Sequence, residues 1–332
     1  MCLASTACLR VFPHRTERRF VFAQLGNIFT QMVILFAAIG VGYLCKKVHV
    51  MDAELDKKLS NLVLSATLPA LILASVLNAD TLPDPLLVGE ILALSVLSFA
   101  ILIPLAFAIA FALRVPDGCR GVYRFMLIFG NTGFIGYPVL TAIFGAQTVI
   151  YAVIYNITFN MLVFTLGAWL IASDNEYGVK VRMNWRDFVT PCNVATLLTL
   201  VLALAGVHAV PVAGEALSTI GNFTTPATLL IVGSSLANLP AAGLLGTPRL
   251  WAACVIRMAV VPLAIFAVMQ LFAHDVLLSV LVVLAAMPVA TNGTMLCYQY
   301  HGDAKTMAQG TFITTVLSLA TIPLLATFVS ML

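Results

Sequence analysis

Asn131-Thr132-Gly133-Phe134-Ile135-Gly136-Tyr137-Pro138 is a polar, glycine-punctuated stretch inside a hydrophobic segment, where an unbroken helix is expected. A counterpart, Pro288-Val289-Ala290-Thr291-Asn292-Gly293-Thr294, interrupts another hydrophobic segment in the second half of the chain. In hydrocarbon every backbone N–H and C=O needs a partner, so a broken helix at membrane depth is tolerated only where protein or a wet cavity supplies one. One break per half is the pattern of a secondary transporter's substrate site.

Hydrophobic residues make up 61% of the 332 and charged residues 9%, against roughly 25% charged in a soluble domain. The chain therefore reads as an integral membrane protein. Apolar runs of about 20 residues fall near 26–45, 60–79, 86–112, 122–145, 148–172, 191–207, 215–237, 249–272, 276–299 and 306–331, ten spans in all. Their connections are too short for a soluble domain, so the helices must carry any chemistry.

Of the 17 Lys and Arg residues, twelve follow odd-numbered spans: Lys46, Lys47, Lys57, Lys58, Arg114, Arg120, Arg124, Lys180, Arg182, Arg186, Arg249 and Lys305. The loops after spans two, four, six and eight hold none. The positive-inside rule then makes the odd loops cytoplasmic and puts both termini outside, in the cell or plasma membrane. Residues 1–25 form a tail whose Arg10, Arg15, Arg18 and Arg19 oppose that count. The basic cluster follows the weakly apolar start, which is not the order of a signal peptide.

The seven cysteines form no CxxC pair, and the five histidines sit at span ends or in loops. No disulfide, metal, cofactor or buried histidine relay is expected.

Pro69 and Pro226, and likewise Pro83 and Pro240, stand 157 positions apart, while Pro104 and Pro262 stand 158 apart. Leu68-Pro69-Ala70-Leu71-Ile72-Leu73 echoes Thr225-Pro226-Ala227-Thr228-Leu229-Leu230, and the same spacing sets Gly136 on Gly293 and Asn131 on Pro288. Two repeats, 26–172 and 191–331, follow. Each holds five spans, an odd number, so the second enters the membrane inverted, and broken spans four and nine cross near the midplane.

With these residues in view the chain resembles the auxin efflux carrier family, in its bacterial branch of malate- or malonate-type organic-acid permeases. The matching features are Gly42-Tyr43-Leu44-Cys45-Lys46-Lys47, Leu68-Pro69-Ala70, the Gly130-Asn131-Thr132-Gly133 to Gly136-Tyr137-Pro138 stretch, and Pro288. The resemblance implies an inverted-repeat crossover fold with a scaffold part and a transport part. One departure is that Pro288 stands where span four has Asn131, so the half-sites differ chemically.

A half-helix N-terminus presents free N–H groups carrying about half a positive charge, so two converging ends hold an anion without a fixed cation. Pro138 suits the first turn of a half-helix, while Gly133, Gly136 and Gly293 permit the breaks and a close approach. Asn131, Thr132, Thr291, Asn292 and Thr294 add side-chain donors, and Tyr137 and Pro288 complete the two stretches. The competing reading is small-residue packing with a proline kink. Asn156 and Asn160 share a face of span five and either line the cavity or bind a neighbouring helix. The polar residues before Pro69 and Pro226 read as partners for proline-freed carbonyls. Arg257 is the one fixed charge well inside a span, where a charge costs about 2.5–3.5 kcal/mol. It either snorkels to the cytoplasmic face or attracts substrate.

The reading is a permease for a small organic anion working by alternating access in the lipid bilayer. The alternatives are a proton- or sodium-coupled carrier of the same fold and, from another class, an intramembrane enzyme. Neither break contains Asp or Glu, and the chain has no HExxH or GxSxG motif. Nucleic acid is not an expected partner, and a homodimer is left open.

Overall fold

The computed structural model describes residues 30, 33–34, 36–78, 84–145, 148–173, 191–207, 210–237 and 246–330. The N-terminal tail, the loop carrying Lys180, Arg182 and Arg186, and Pro83, Pro240, His14, His208, Cys2 and Cys8 lie outside the described residues.

The described residues are helical almost throughout. Helix α1 is described over 36–47, followed by α2 (Ala53–Leu77), α3 (Pro85–Ala112), α4 (Arg120–Ile128), α5 (Gly136–Phe144) and α6 (Val149–Ala172). The second half contributes α7 (Pro191–Leu204), α8 (Pro211–Gly221), α9 (Thr224–Ala237) and α10 (Pro248–Met269). Helices α11 (Asp275–Ala285), α12 (Asn292–Tyr300) and α13 (Ala304–Ser330) complete it. Five of them, α2, α3, α6, α10 and α13, are each long and apolar enough to cross a membrane.

Two boundaries differ from the hydropathy reading. Span two begins at Ala53 because Asp52 caps it, its carboxylate accepting from the Leu55 N–H at 2.7 Å, and Glu54 and Asp56 favour the positive end of the helix dipole. Those charges conceal the first turns from a hydropathy count and put Lys57 and Lys58 on the helix itself. Span seven is not one helix but α8 and α9, joined by a turn at Asn222 and Phe223. Gly221 packs against the Leu71 backbone where a Cβ would collide, and Pro226 has no N–H to extend a helix backwards.

The packing sorts the helices into two groups, each drawn from both halves of the chain. Helices α7, α8 and α9 pack on α2, and α1 joins them where Gly42 meets Leu230 and Gly233 meets Ile39 and Tyr43 too closely for any side chain. Lys46 of α1 pairs with Asp56 of α2 at 2.8 Å, and Asp56 also accepts from Ser234 of α9 at 2.7 Å. The second group gathers α3 to α6 with α10 to α13. Its centre holds Phe99, Phe125, Phe129 and Phe159 in successive ring contacts. Every residue of α11 from Leu277 to Ala285 is buried there, as an all-round apolar helix requires. The groups meet where α6 lies against α2 and α7.

Candidate substrate site at two paired helix breaks

Helix α4 stops at Ile128 and α11 at Ala285, and the released chains run antiparallel past each other, with Gly130 bridged to Val289. The Asn131 N–H donates to the Pro288 carbonyl at 2.6 Å, and the Ala290 N–H to the Phe129 carbonyl at 3.0 Å. Val289 N–H donates to the Thr314 hydroxyl at 3.1 Å. Each break thus satisfies backbone groups of the other, which answers the requirement a low-dielectric setting imposes.

Asn131 organises the first break. Its carbonyl accepts from the Gly136 N–H at 2.9 Å and its side-chain oxygen from the Phe134 N–H at 3.1 Å. The residue is 3% exposed, and its side-chain Nδ2 is buried and has no hydrogen-bond partner among the described residues. Thr132 donates to Asn156 Oδ1 at 2.5 Å, and Asn156 Nδ2 donates to the Tyr137 hydroxyl at 2.9 Å. Asn156 is therefore polar glue that orients the break, and it also borders the cavity.

That cavity, of about 220 Å³, lies where the two helix groups meet. The breaks contribute Asn131, Gly133, Phe134, Tyr137, Ala290 and Asn292, and α6 contributes Asn156, Phe159, Asn160 and Phe164. Helix α2 adds Leu64, Ser65, Leu68 and Ile72, and the start of α7 adds Pro191, Cys192 and Asn193. Five asparagines face one space, and among the described residues none of those lining it is charged.

The remaining expected site residues are near the crossing but not on the cavity wall. Thr132 and Gly136 are buried behind it, Gly136 beside Leu284, and Pro138 is in the first turn of α5. Pro288 serves through its carbonyl. Thr291 caps α12 without a side-chain bond, and Thr294 follows in the first turn. Gly293 is wedged between Phe125 and Met307, at 2.6 Å from an imagined Cβ on either side. These positions shape the break, and six expected residues reach the cavity: Asn131, Gly133, Tyr137, Asn156, Asn160 and Asn292.

Arg257 corrects the snorkelling expectation and does not line the cavity either. It is 1% exposed, and it donates from Nη1 to the Ala285 carbonyl at 2.7 Å and from Nη2 to the Met287 carbonyl at 3.1 Å. It sits within a wide π turn of α10, Ile256–Val260, which rotates the side chain relative to a regular helix.

The wall from α7 was not anticipated. Cys192 donates to the Leu64 carbonyl at 3.1 Å, the carbonyl that Pro69 leaves without its donor in the wide turn Val63–Thr67. The partner of the proline-freed carbonyl is thus a thiol, not one of the hydroxyls nearer in sequence. Among the described residues no cluster of three His, Cys, Asp or Glu is arranged to hold a metal.

Paired helix breaks beside an amide-lined cavity, in an apolar chain whose described residues are helical almost throughout, define a polytopic membrane transporter. Residues 27–326 match the family described as membrane transport protein, and the chain belongs to this family, that of the auxin efflux carriers. It is 26% identical over 313 residues to an uncharacterized transporter of Methanothermobacter thermautotrophicus, covering 90% of this chain and 97% of the relative. An uncharacterized transporter of Methanocaldococcus jannaschii is 26% identical over 301 residues, covering 88% and 96%.

Proposed function

We propose that the protein is a secondary carrier for a small organic anion, a carboxylate, with the cavity beside the paired breaks as its binding site. The observation that carries this reading is Asn131, a residue of the cavity wall whose side-chain Nδ2 is buried and, among the described residues, has no hydrogen-bond partner. An unsatisfied buried donor costs about 1–3 kcal/mol, which a ligand acceptor recovers. Asn160 and Asn292 on the same wall add further side-chain amide donors. A carboxylate accepts about four hydrogen bonds, so it matches a set of neutral donors better than a cation does.

The first group of helices would act as the scaffold and the second as the transport part, moving by an elevator-like or rocking displacement across the seam where the cavity lies. Inverted repeats over 26–172 and 191–331 are supported by the antiparallel bridge, because spans four and nine run in opposite directions through it. Both termini are taken to be outside the plasma membrane, and a proton or sodium ion is the coupling partner where one exists.

Flux into proteoliposomes, measured against a panel of mono- and dicarboxylates, tests the reading. Saturable uptake accelerated by the same carboxylate on the opposite side supports a carrier. Unsaturable flux without counterflow would make it a channel, and no movement of any carboxylate would remove the anion assignment.

A further inference from the structure

A broken helix presents ends of both signs at one place, which leaves the sign of the crossing undecided. The N-termini of α5 and α12 are positive, but the last carbonyls of α11 stand beside them with about half a negative charge. Helix ends alone therefore do not select an anion.

We infer that Arg257 decides the sign, acting through the α11 carbonyls and not by touching substrate. This rests on the organic-anion reading. Its guanidinium holds Ala285 and Met287, the carbonyl end of α11, at 2.7 and 3.1 Å. Among the described residues no carboxylate pairs with it, and its buried Nε has no partner. Arginine stays protonated in proteins, so the positive charge is permanent. Nη2 lies directly against Gly130, which is bridged to Val289, and the next residue along each strand, Asn131 and Ala290, forms the cavity wall. A buried charge with dipoles but no counter-charge is an incomplete ion pair. Its missing member is a mobile anion on the other side of the bridge. Among the described residues the cavity lining is neutral, which suits this arrangement, because a cationic residue facing the cavity would hold the anion too tightly to release it.

The test reads the potential in the cavity without needing the substrate. Cys192, in a full-length protein whose other cysteines are replaced by serine or alanine, is reacted with an anionic and a cationic methanethiosulfonate reagent of similar size. A second reporter, Ser65→Cys with Cys192→Ala, sits on the adjoining α2 wall, next to the Leu64 whose carbonyl Cys192 binds. The ratio of anionic to cationic reaction rates should fall at least about fivefold in Arg257→Gln, which keeps amide donors but loses the charge, and should be retained in Arg257→Lys. A ratio unchanged in Arg257→Gln at both reporters overturns the inference and leaves Arg257 a structural cap, even if transport is lost. Equal falls in the Lys and Gln variants overturn it too, since geometry and not charge would then be responsible. Failure of the wild-type protein to move any carboxylate, with the ratio still dependent on Arg257, would instead remove the functional reading and keep the electrostatic one.

Discussion

Asn131 donates its backbone N–H to the carbonyl of Pro288 at 2.6 Å, and the two residues stand 157 positions apart. Thr224 donates to the Thr67 hydroxyl at 2.9 Å across the same sequence separation. In an inverted repeat of that period, a residue meets its own equivalent only on the axis relating the halves. Two such meetings, one at the paired breaks and one between α2 and α9, are what a single axis through the crossing requires. This supports the repeat and explains why the two breaks satisfy each other.

Asn131→Ala and Asn292→Ala should each lower carboxylate transport at least about tenfold while leaving folded protein in the membrane. A hydrogen bond to a charged ligand is worth about 1.5–3 kcal/mol, and about 1.4 kcal/mol is a factor of ten. Thr67→Ala loses only the contact with Thr224 and should do less. Initial uptake rates normalised to protein decide it, and normal transport by both asparagine variants would refute the site.

Topology gives a second expectation. Cysteines introduced at Lys57, Arg120 and Arg182, in a background without native thiols, should resist an impermeant maleimide in intact cells and react once the membrane is opened. Ready labelling of intact cells would reverse the orientation read from the twelve basic residues.

The breaks were legible in the sequence because Asn, Gly and Pro inside an apolar run have few other uses, and their common spacing placed them opposite each other. Other features were hidden for physical reasons. The charges that cap and stabilise the start of α2 are the ones that remove it from a hydropathy window. Cys192 reads as a small apolar residue until Pro69, distant in sequence, is seen to free the carbonyl it binds. Arg257 lies two turns into α10, a position equally compatible with snorkelling. Only the wide turn and the location of the α11 carbonyls send it inward.

Gly130 and Arg257 should be coupled energetically. A Cβ at Gly130 would meet Nη2 of Arg257 and press on Met287, so Gly130→Ala should cost about 1–3 kcal/mol as an overpacked site. Arg257→Lys, with a narrower head group, should relieve part of that clash. The unfolding free energies of the two single variants and the double variant, measured in detergent, should depart from additivity by about 0.5 kcal/mol or more. Strict additivity would mean that the two residues do not press on each other.

Asn131→Asp tests the electrostatics most directly, because the Phe134 N–H fixes which side-chain atom of Asn131 is the oxygen. Aspartate keeps that acceptor and converts the buried Nδ2, which has no partner among the described residues, into an oxygen of nearly the same size. A carboxylate substrate then meets an acceptor where it needs a donor and, once the new side chain ionises, a like charge as well. The variant should transport organic anions less well than Asn131→Ala, which removes the donor without adding repulsion. The gap should widen as pH rises, since ionisation adds the charge. Uptake rates of both variants across a pH series read this, with substrates chosen to stay fully ionised throughout. If Asn131→Asp equals or exceeds Asn131→Ala at every pH, the potential at the paired breaks does not select the substrate, and the amides would have to recognise it by shape and neutral hydrogen bonds alone.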